Sequence, residues 1–360
     1  MVAYIQRLVV EKLRWLTARR FADGVALCQM IPGATAMQTA AFVGLELRGI
    51  HGALAAFVGF GLPAFILMMT LAILYTQLQN LPEVMSLFAG LQAIAIAIIA
   101  NAGIAMARRF IQDGWGVLIT IVAIVMFAFS LNPIFVVLTG AFLGLIFYYK
   151  ERSDMPASHA PLSTGWMLKR LALLLSPFLI FFVILYLINQ DMFDLTLLFS
   201  RLDLYAFGGG FASLPIMFHE VVDMRGWMDS QTFLNGIALG QVTPGPIVIT
   251  ATFVGYMLYG AWGGIVGTIS IFAPSFILLT ITEPFYLHLR TSNIVRRIIK
   301  GVLLTFVGLI LVTAVKFALP IPWDVPRIML TGFALVALLL EVDILWVVGV
   351  GVALSILFFA

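Results

Sequence analysis

The sequence predicts an all-α polytopic membrane protein made of two homologous halves of inverted topology, with helices broken at Pro-Gly sites. Composition supports the first part of this prediction, because 62% of the 360 residues are hydrophobic and only 10% are charged. Ordinary soluble domains carry about a quarter charged residues, so a soluble globule is excluded. An internal repeat, and a reversal of charge between its two copies, support the rest.

Long apolar windows indicate where the membrane-spanning helices lie. The windows 52–75 and 171–188 are nearly free of charge, and each is about as long as a helix that crosses a hydrocarbon core of about 30 Å. The sequence lacks the alternation of apolar and polar residues that is typical of a membrane β-barrel. In chain order we expect broken segments at residues 21–47 and 231–258, and spans near residues 51–76, 83–107, 114–130, 133–149, 167–189, 193–218, 261–287, 294–317, 327–341 and 344–360.

The chain contains two copies of one pattern, centred on the Pro-Gly pairs at residues 32–33 and 244–245. Matches at a nearly constant offset extend on both sides of these pairs and include Trp15 with Trp227 and Tyr75 with Tyr286. Shared apolar composition does not explain matched Trp, Pro and Gly residues, so the pattern indicates an internal duplication. We expect a first repeat at residues 1–149, a polar linker and connecting transmembrane helix at 150–190, and a second repeat at 191–360.

The second copy has an additional apolar segment before its matched region, at residues 195–218, interrupted by the sequence FGGG at 207–210. The first copy begins at Met1, which is level with about Ser213, so the counterpart of this segment is missing from it. We expect either a natively short chain or a start assigned downstream of the true one.

Basic residues change sides between equivalent loops. The loop at residues 7–20 holds five Lys and Arg residues, whereas its counterpart at 219–230 holds only Arg225. Conversely, Arg296, Arg297 and Lys300 lie in a second-copy loop with Arg290, and the first-copy loop at 77–83 has no basic residue. Because basic residues favour the cytoplasmic side, the swap predicts that one copy is inverted relative to the other. A parallel duplication is the alternative.

The two Pro-Gly breaks predict an anion-binding site. A helix that restarts after Pro has free N–H groups and the positive end of its dipole at the new N-terminus, which favours an anion. Threonine hydroxyls, glutamine amides and a flexible glycine triplet would complete a site for a tetrahedral oxyanion. The alternative is that each break only kinks a packed helix and the glutamines hold helices together. The candidate binding residues are Gln29, Pro32, Gly33, Thr35, Gly208, Gly209, Gly210, Gln241, Thr243, Pro244, Gly245 and Pro246.

Three ionisable residues within apolar sequence require an explanation, because a charge at the bilayer centre costs about 2.5–3.5 kcal/mol. Asp23 lies just before Gln29, and its second-copy counterpart is Asn235. Arg201 and Asp203 precede the glycine triplet and would pair with each other. We expect Arg201 to help hold an anion and Asp23 to exchange protons, although structural ion pairs would explain these residues equally well.

Several functions are excluded by what the sequence lacks. It has no Walker loop, no His, Cys and carboxylate set with metal-ligand spacing, and no Ser-His-Asp set, so we expect neither an enzyme nor a cofactor or metal. The single cysteine, Cys28, leaves no internal disulfide. The basic residues lie in short clusters between apolar spans, so we expect a lipid bilayer as partner rather than nucleic acid.

Three strings carry a family resemblance: ALCQMIPGATAMQ at residues 26–38, FGGGFASLP at 207–215 and GQVTPGP at 240–246. They resemble the chromate ion transporter (CHR) family in its two-domain form, apart from the missing first-copy Phe-Gly-Gly-Pro segment. The resemblance implies a carrier in the bacterial inner membrane that exports chromate and confers chromate resistance, with antiparallel homologous halves.

The functional hypothesis that follows is secondary active efflux of chromate by alternating access, without ATP. A transporter of sulfate or another oxyanion is one alternative, since sulfate is isostructural with chromate. An inactive or regulatory membrane subunit is another, because of the short N-terminus. A homodimer is compatible with either.

Overall fold

The computed structural model describes residues 1–150, 164–207, 210–286 and 291–359, and these residues form helices and connecting turns without a β-strand. The helices are α1 (Val2–Gln6), α2 (Ala18–Met30), α3 (Thr35–Leu78), α4 (Pro82–Phe110), α5 (Gly114–Ala128), α6 (Pro133–Phe147), α7 (Thr164–Ile188), α8 (Gln190–Tyr205), α9 (Ser213–Phe218), α10 (Ser230–Val242), α11 (Thr250–Thr282), α12 (Asn293–Ala318), α13 (Val325–Leu339) and α14 (Ile344–Phe359). The predicted linker after Lys150 lies largely outside the described residues.

Within those residues, five helical segments are long and apolar enough to cross a membrane by length and composition. They comprise α3, α4, residues 171–188 of α7, a segment that contains α11, and α12. Shorter apolar helices, α5, α6, α13 and α14, complete the bundle. The prediction of an all-α polytopic membrane protein is confirmed.

Each Pro-Gly break joins two helices that fold back on each other. Gly24 in α2 lies against the ring of Phe42 in α3, on the other side of the first break, and a Cβ atom at Gly24 would overlap that ring. Gly236 in α10 meets Phe253 in α11 in the same way. We call these units hairpin 1 (residues 18–47) and hairpin 2 (residues 230–258), and their turns tip 1 (residues 31–34) and tip 2 (residues 243–246).

A second sharp turn follows each hairpin. Gly49 has φ +62° and ψ −151°, and Gly260 has the same values, which lie in a region that favours glycine because it has no Cβ. After these turns the chain continues as the long arm of α3 (residues 50–78) and the long arm of α11 (residues 261–282). The identical backbone angles show that the duplication seen in the sequence extends to local geometry.

The two long arms pack against each other in antiparallel orientation. The rings of Phe57 and Phe276 lie with centroids 5.0 Å apart, whereas Met69 contacts Gly264. The beginning of each arm therefore contacts the end of the other. Because these arms are equivalent in the two copies, the copies are inverted relative to each other, as the basic residues predict.

The remaining helices of the two copies interlock. The Thr120 hydroxyl in α5 donates to the carbonyl of Leu304 in α12 at 3.2 Å, and the Thr331 hydroxyl in α13 donates to the carbonyl of Ala93 in α4, also at 3.2 Å. The two hydrogen bonds are related to each other by the repeat, because Thr120 is equivalent to Thr331 and Leu304 is equivalent to Ala93. The last two helices of each copy thus pack on the other copy, α5 and α6 on α12, and α13 and α14 on α4.

Helix α8 packs along α11 and has no counterpart among the helices of the first copy. Pro274 lacks an N–H, so it leaves the carbonyl of Ser270 without its usual helical partner. The Ser200 hydroxyl of α8 lies 3.4 Å from that carbonyl and donates to it. Helix α8 therefore compensates for the proline inside α11.

Candidate functional site

Tip 1 and tip 2 meet at one cavity of about 490 Å³. The first copy contributes the end of α2, the beginning of α3 and the end of α4, and the second copy contributes tip 2, the last glycine of the triplet and the residue that follows it. Among the sequence-predicted residues, the structure brings Gln29, Thr35, Gly210, Gly245 and Pro246 to the wall of this cavity. Two breaks that are more than two hundred residues apart in the chain therefore face a shared space.

The N-terminus of α3 opens into this cavity without a capping side chain. Its cap residue, Ala34, makes no side-chain hydrogen bond, and Thr35 and Ala36 line the cavity. At tip 2, Pro246 precedes the short 3₁₀ turn Ile247–Ile249 and likewise provides no cap. By contrast, side chains cap several helices elsewhere in the bundle: Thr17, Asp113, Asn132, Asn189, Asp229, Ser292 and Asp324. The first backbone N–H groups of a helix have no acceptor within the helix, so those of α3 are placed to donate to a ligand in the cavity.

Arg109 adds a positive charge that the sequence analysis missed. It lies in the last turn of α4, lines the cavity, and its Nη2 donates to Oε1 of Gln29 at 3.1 Å. In the sequence, two adjacent arginines at the end of a span indicate only how the span is oriented in the membrane. The equivalent position of the second copy is occupied by Pro320. Comparison of the repeats therefore gave no signal for this residue.

Both tips are held by close backbone packing against the opposite copy. Gly33 has φ +118°, and a Cβ atom there would overlap the side chain of Ser275 in the long arm of α11. A Cβ atom at Gly245 would lie 2.6 Å from that of Ala64, which is the counterpart of Ser275 in the long arm of α3. The two glycines thus occupy equivalent contacts, and neither has room for a side chain.

Further hydrogen bonds fix tip 1. Gln38 Nε2 donates to the carbonyl of Pro32 at 2.6 Å, and the N–H of Gly33 donates to the carbonyl of Ala206 at 3.0 Å. Ala206 follows α8, so the segment that precedes the glycine triplet supports the tip of the other copy. Pro32 contributes through its backbone and is itself buried.

The other predicted binding residues lie around the cavity rather than in its wall. The Thr243 hydroxyl donates to the carbonyl of Gly240 at 2.9 Å, and its side chain is buried. Among the described residues, the buried amide nitrogen of Gln241 has no hydrogen-bond partner. Pro244 is exposed. Gly208 and Gly209 lie outside the described residues.

The three candidate charges have different surroundings. Tyr286 donates to Oδ1 of Asp23 at 3.2 Å, and the equivalent pair in the other copy is Asn235 with Tyr75, at 3.1 Å. Arg201 is exposed, whereas Asp203 is fully buried and accepts the N–H of Ser275 at 2.6 Å. The structure therefore does not bring Arg201 and Asp203 together as an ion pair.

A charged cluster closes the base of hairpin 1. Arg20 donates to both carboxylate oxygens of Glu46, at 2.8 and 2.7 Å, and to Glu283 at 3.0 Å. Glu283 follows α11, so this cluster links the two copies. Among the described residues, no group of His, Cys, Asp and Glu side chains is placed to hold a metal ion.

Comparison with known proteins identifies the family. The model of the chromate transporter family matches residues 1–145 and 193–356. The chain belongs to the chromate transporter family. The family is a transporter family, which is not a class of enzyme, and membership together with the apolar helices makes the chain a multi-pass protein of the cell membrane.

Relatives align over most of this chromate transporter family member. An uncharacterised transporter of Methanocaldococcus jannaschii is 38% identical over 355 residues, covering 98% of this chain and 88% of the relative. Chromate transport proteins of Cupriavidus metallidurans and Pseudomonas aeruginosa are 25% and 29% identical, covering 95% and 87% of this chain and 83% and 75% of the relatives. No solved structure matches.

Proposed function

We propose that the protein is a secondary active transporter that exports chromate across the cell membrane by alternating access, and that the cavity between tips 1 and 2 binds the anion. The observation that carries this proposal is the convergence of both tips and Arg109 on one cavity. Chromate transport proteins among the relatives support the substrate class. Export would confer chromate resistance.

The chemistry of the cavity suits a tetrahedral dianion. Backbone N–H groups at an uncapped helix N-terminus donate to oxygen and carry partial positive charge, and an arginine presents several N–H donors in a fixed plane. The Thr35 hydroxyl and the Gln29 amide would donate to the remaining oxygens. A transporter must release the anion that it binds. A single arginine holds the anion less tightly than several cations would, so the free energy needed for release from this site is smaller.

A second polar cavity lies at the other end of α4 and supports alternating access. It measures about 570 Å³ and surrounds a network in which Gln92 donates to Asn235 at 2.6 Å and Asn235 donates to Tyr75 at 3.1 Å. Gln92 belongs to the first half of α4, whereas Arg109 belongs to its last turn. We propose that the two cavities are the two ends of the transport path, and that movement of the hairpins opens them in turn.

Sulfate has the same shape and charge, and the same donors would bind it. The exposed apolar residues along the long arm of α3, such as Leu54, Val58 and Leu62, would contact lipid acyl chains. A homodimer stays a prediction.

Transport into inside-out membrane vesicles tests the proposal. Vesicles that contain the protein should accumulate chromate when energised, and vesicles that contain Arg109→Ala should accumulate much less. Competition by sulfate at concentrations near that of chromate would indicate a general oxyanion carrier, and its absence would indicate selectivity. Failure of energised vesicles to take up either anion would refute the proposal.

A further inference from the structure

We propose that Asp203 is a proton-binding site that controls tip 1: it is protonated while tip 1 is packed on α8, as in this structure, and it ionises when tip 1 moves away. The proposal adds a coupling ion to the proposed function and rests on it only for the transport arm of the test.

The surroundings of Asp203 disfavour a carboxylate charge in this conformation. The side chain is fully buried, Oδ2 accepts the N–H of Ser275 at 2.6 Å, and Oδ1 has no hydrogen-bond partner among the described residues. A buried carboxylate is stable as an ion only when it is paired and hydrogen-bonded, and a buried charge without such compensation is strongly disfavoured. A proton on Asp203 removes this penalty.

The neighbouring elements supply no compensating charge to Asp203 among the described residues. On α8 itself, Arg201 is exposed and Tyr205 is partly buried. On α11, Tyr259 lies towards Asp191 and Asp194 at the opposite end of α8, and Glu283 pairs with Arg20. Of the other titratable groups on packed elements, Tyr256 of α11 is partly buried, Tyr186 of α7 is exposed, and His219 after α9 faces Asp223 at 3.5 Å.

The position of Asp203 couples its proton to tip 1. Ser275, whose N–H it accepts, is the residue against which Gly33 of tip 1 packs without room for a Cβ atom. Ala206, at the end of the same helix, accepts the N–H of Gly33 at 3.0 Å. Separation of tip 1 from α8 would break this contact and admit water to Oδ1, and water stabilises the ionised carboxylate. Opening of tip 1 and release of one proton to water are therefore linked.

A proton fits this site better than a metal cation. Hard cations take six or more oxygen ligands, whereas the site offers one carboxylate whose second oxygen is already used. In the first copy, Ala64 stands at the position equivalent to Ser275.

The native thiol of Cys28 reports the opening of hairpin 1, because it is fully buried in α2 just before tip 1. Its rate of reaction with a membrane-permeant maleimide should be measured from acidic to alkaline pH in the wild type and in Asp203→Asn, with Asp191→Asn on the same helix as control. The ratio of the wild-type rate to the variant rate at each pH cancels the intrinsic pH dependence of the thiol. We expect the ratio to rise with pH for Asp203→Asn and to stay constant for Asp191→Asn. A constant ratio for Asp203→Asn overturns the proposal.

Chromate flux in proteoliposomes provides the second arm. An imposed pH gradient at zero membrane potential should change wild-type flux, and Asp203→Asn should lose this gradient-dependent component while Asp191→Asn retains it. Equal responses of the wild type and Asp203→Asn overturn the proton site and leave the transport function intact. If the wild type transports no chromate under any condition, the proposed function fails, and the labelling arm still decides the role of Asp203.

If Asp203→Asn does not fold, infrared spectroscopy of the wild type tests whether Asp203 is protonated. Asp203 is the fully buried carboxylate among the described residues, so a protonated-carboxyl C=O band at neutral pH reports on it. Loss of this band at alkaline pH supports the proposal, and its absence at neutral pH overturns it.

Discussion

Arg109 donates a hydrogen bond to Oε1 of Gln29 at 3.1 Å, and the two residues are 80 positions apart in the chain. This contact joins the last turn of α4 to hairpin 1 at the edge of the cavity. It places the guanidinium where a bound oxyanion would meet both the charge and the N-terminus of α3.

Replacement of Arg109 by Ala should weaken chromate binding strongly. A hydrogen bond to a charged group contributes about 1.5–3 kcal/mol, so the dissociation constant should rise roughly 10- to 100-fold. Calorimetric titration of the purified protein with chromate measures this change. Arg108→Ala is the matched control, because Arg108 is exposed and does not line the cavity. Equal effects of the two substitutions would show that only the overall charge of the loop matters.

Gly245→Ala should destabilise the protein by overpacking tip 2 against Ala64, where a Cβ atom would lie 2.6 Å from its neighbour. Overpacking of this kind costs about 1–3 kcal/mol. The double variant Gly245→Ala with Ala64→Gly should recover much of the loss, measured as thermal unfolding in detergent. Gly59→Ala in the same long arm serves as control, because no atom lies within 4 Å of its added Cβ. No recovery in the double variant would contradict this packing.

Single cysteines at Arg14 and Arg225 should be labelled from opposite sides of the membrane. The two residues lie in equivalent turns of the repeat, both are exposed, and the antiparallel long arms place equivalent segments at opposite ends of the bundle. An impermeant maleimide applied to intact cells and to inside-out vesicles measures this, with Cys28→Ser as the background. Labelling of both cysteines from one side would instead indicate a parallel duplication.

Protonation of Asp113 should lower the stability of the folded protein in acid. Burial raises the pKa of this carboxyl, but hydrogen bonds from Tyr148 and the Gly116 N–H, together with Lys300, outweigh burial and hold the pKa below its usual range. Its stabilising contribution is therefore present above the unfolded value of about 3.9 and is lost as the pH falls through the lower folded value.

Thermal unfolding measured from neutral pH down to that range checks the prediction for Asp113. The midpoint of the wild type should fall more steeply than that of Asp113→Asn, which cannot titrate. Tyr148→Phe removes one of the bonds, donated at 2.7 Å, and should give an intermediate slope. Parallel slopes for all three proteins would assign the acid sensitivity to other carboxylates.

The sequence was sufficient to predict the helices, the repeat and its inversion, because these depend on composition, length and the distribution of basic residues. It also indicated the breaks at Pro32 and Pro244, since a missing N–H has local consequences. That tips 1 and 2 share a cavity depends instead on the crossing of the long arms at contacts such as Phe57 with Phe276, which no local pattern specifies.

Individual side chains at the site were harder to predict. Thr243 was expected to offer its hydroxyl to a ligand, but the carbonyl of Gly240, three residues earlier, already accepts it. Local bonding of threonine to the preceding turn is common and competes with distant partners. Arg109 was overlooked for the opposite reason, because its importance depends entirely on a distant hairpin and its repeat counterpart is Pro320.

The interlocked helices constrain how the protein is made. The carbonyl of Ala93 in α4 receives its hydrogen bond from Thr331, 238 residues later in the chain, and the N–H of Gly90 faces the Ser355 hydroxyl at 3.1 Å. During synthesis α4 must therefore enter the membrane before the helices that cover one of its faces exist. That face is covered only after α13 and α14 have been inserted. Neither copy can reach its final packing alone, so the two halves of the gene product mature as one unit.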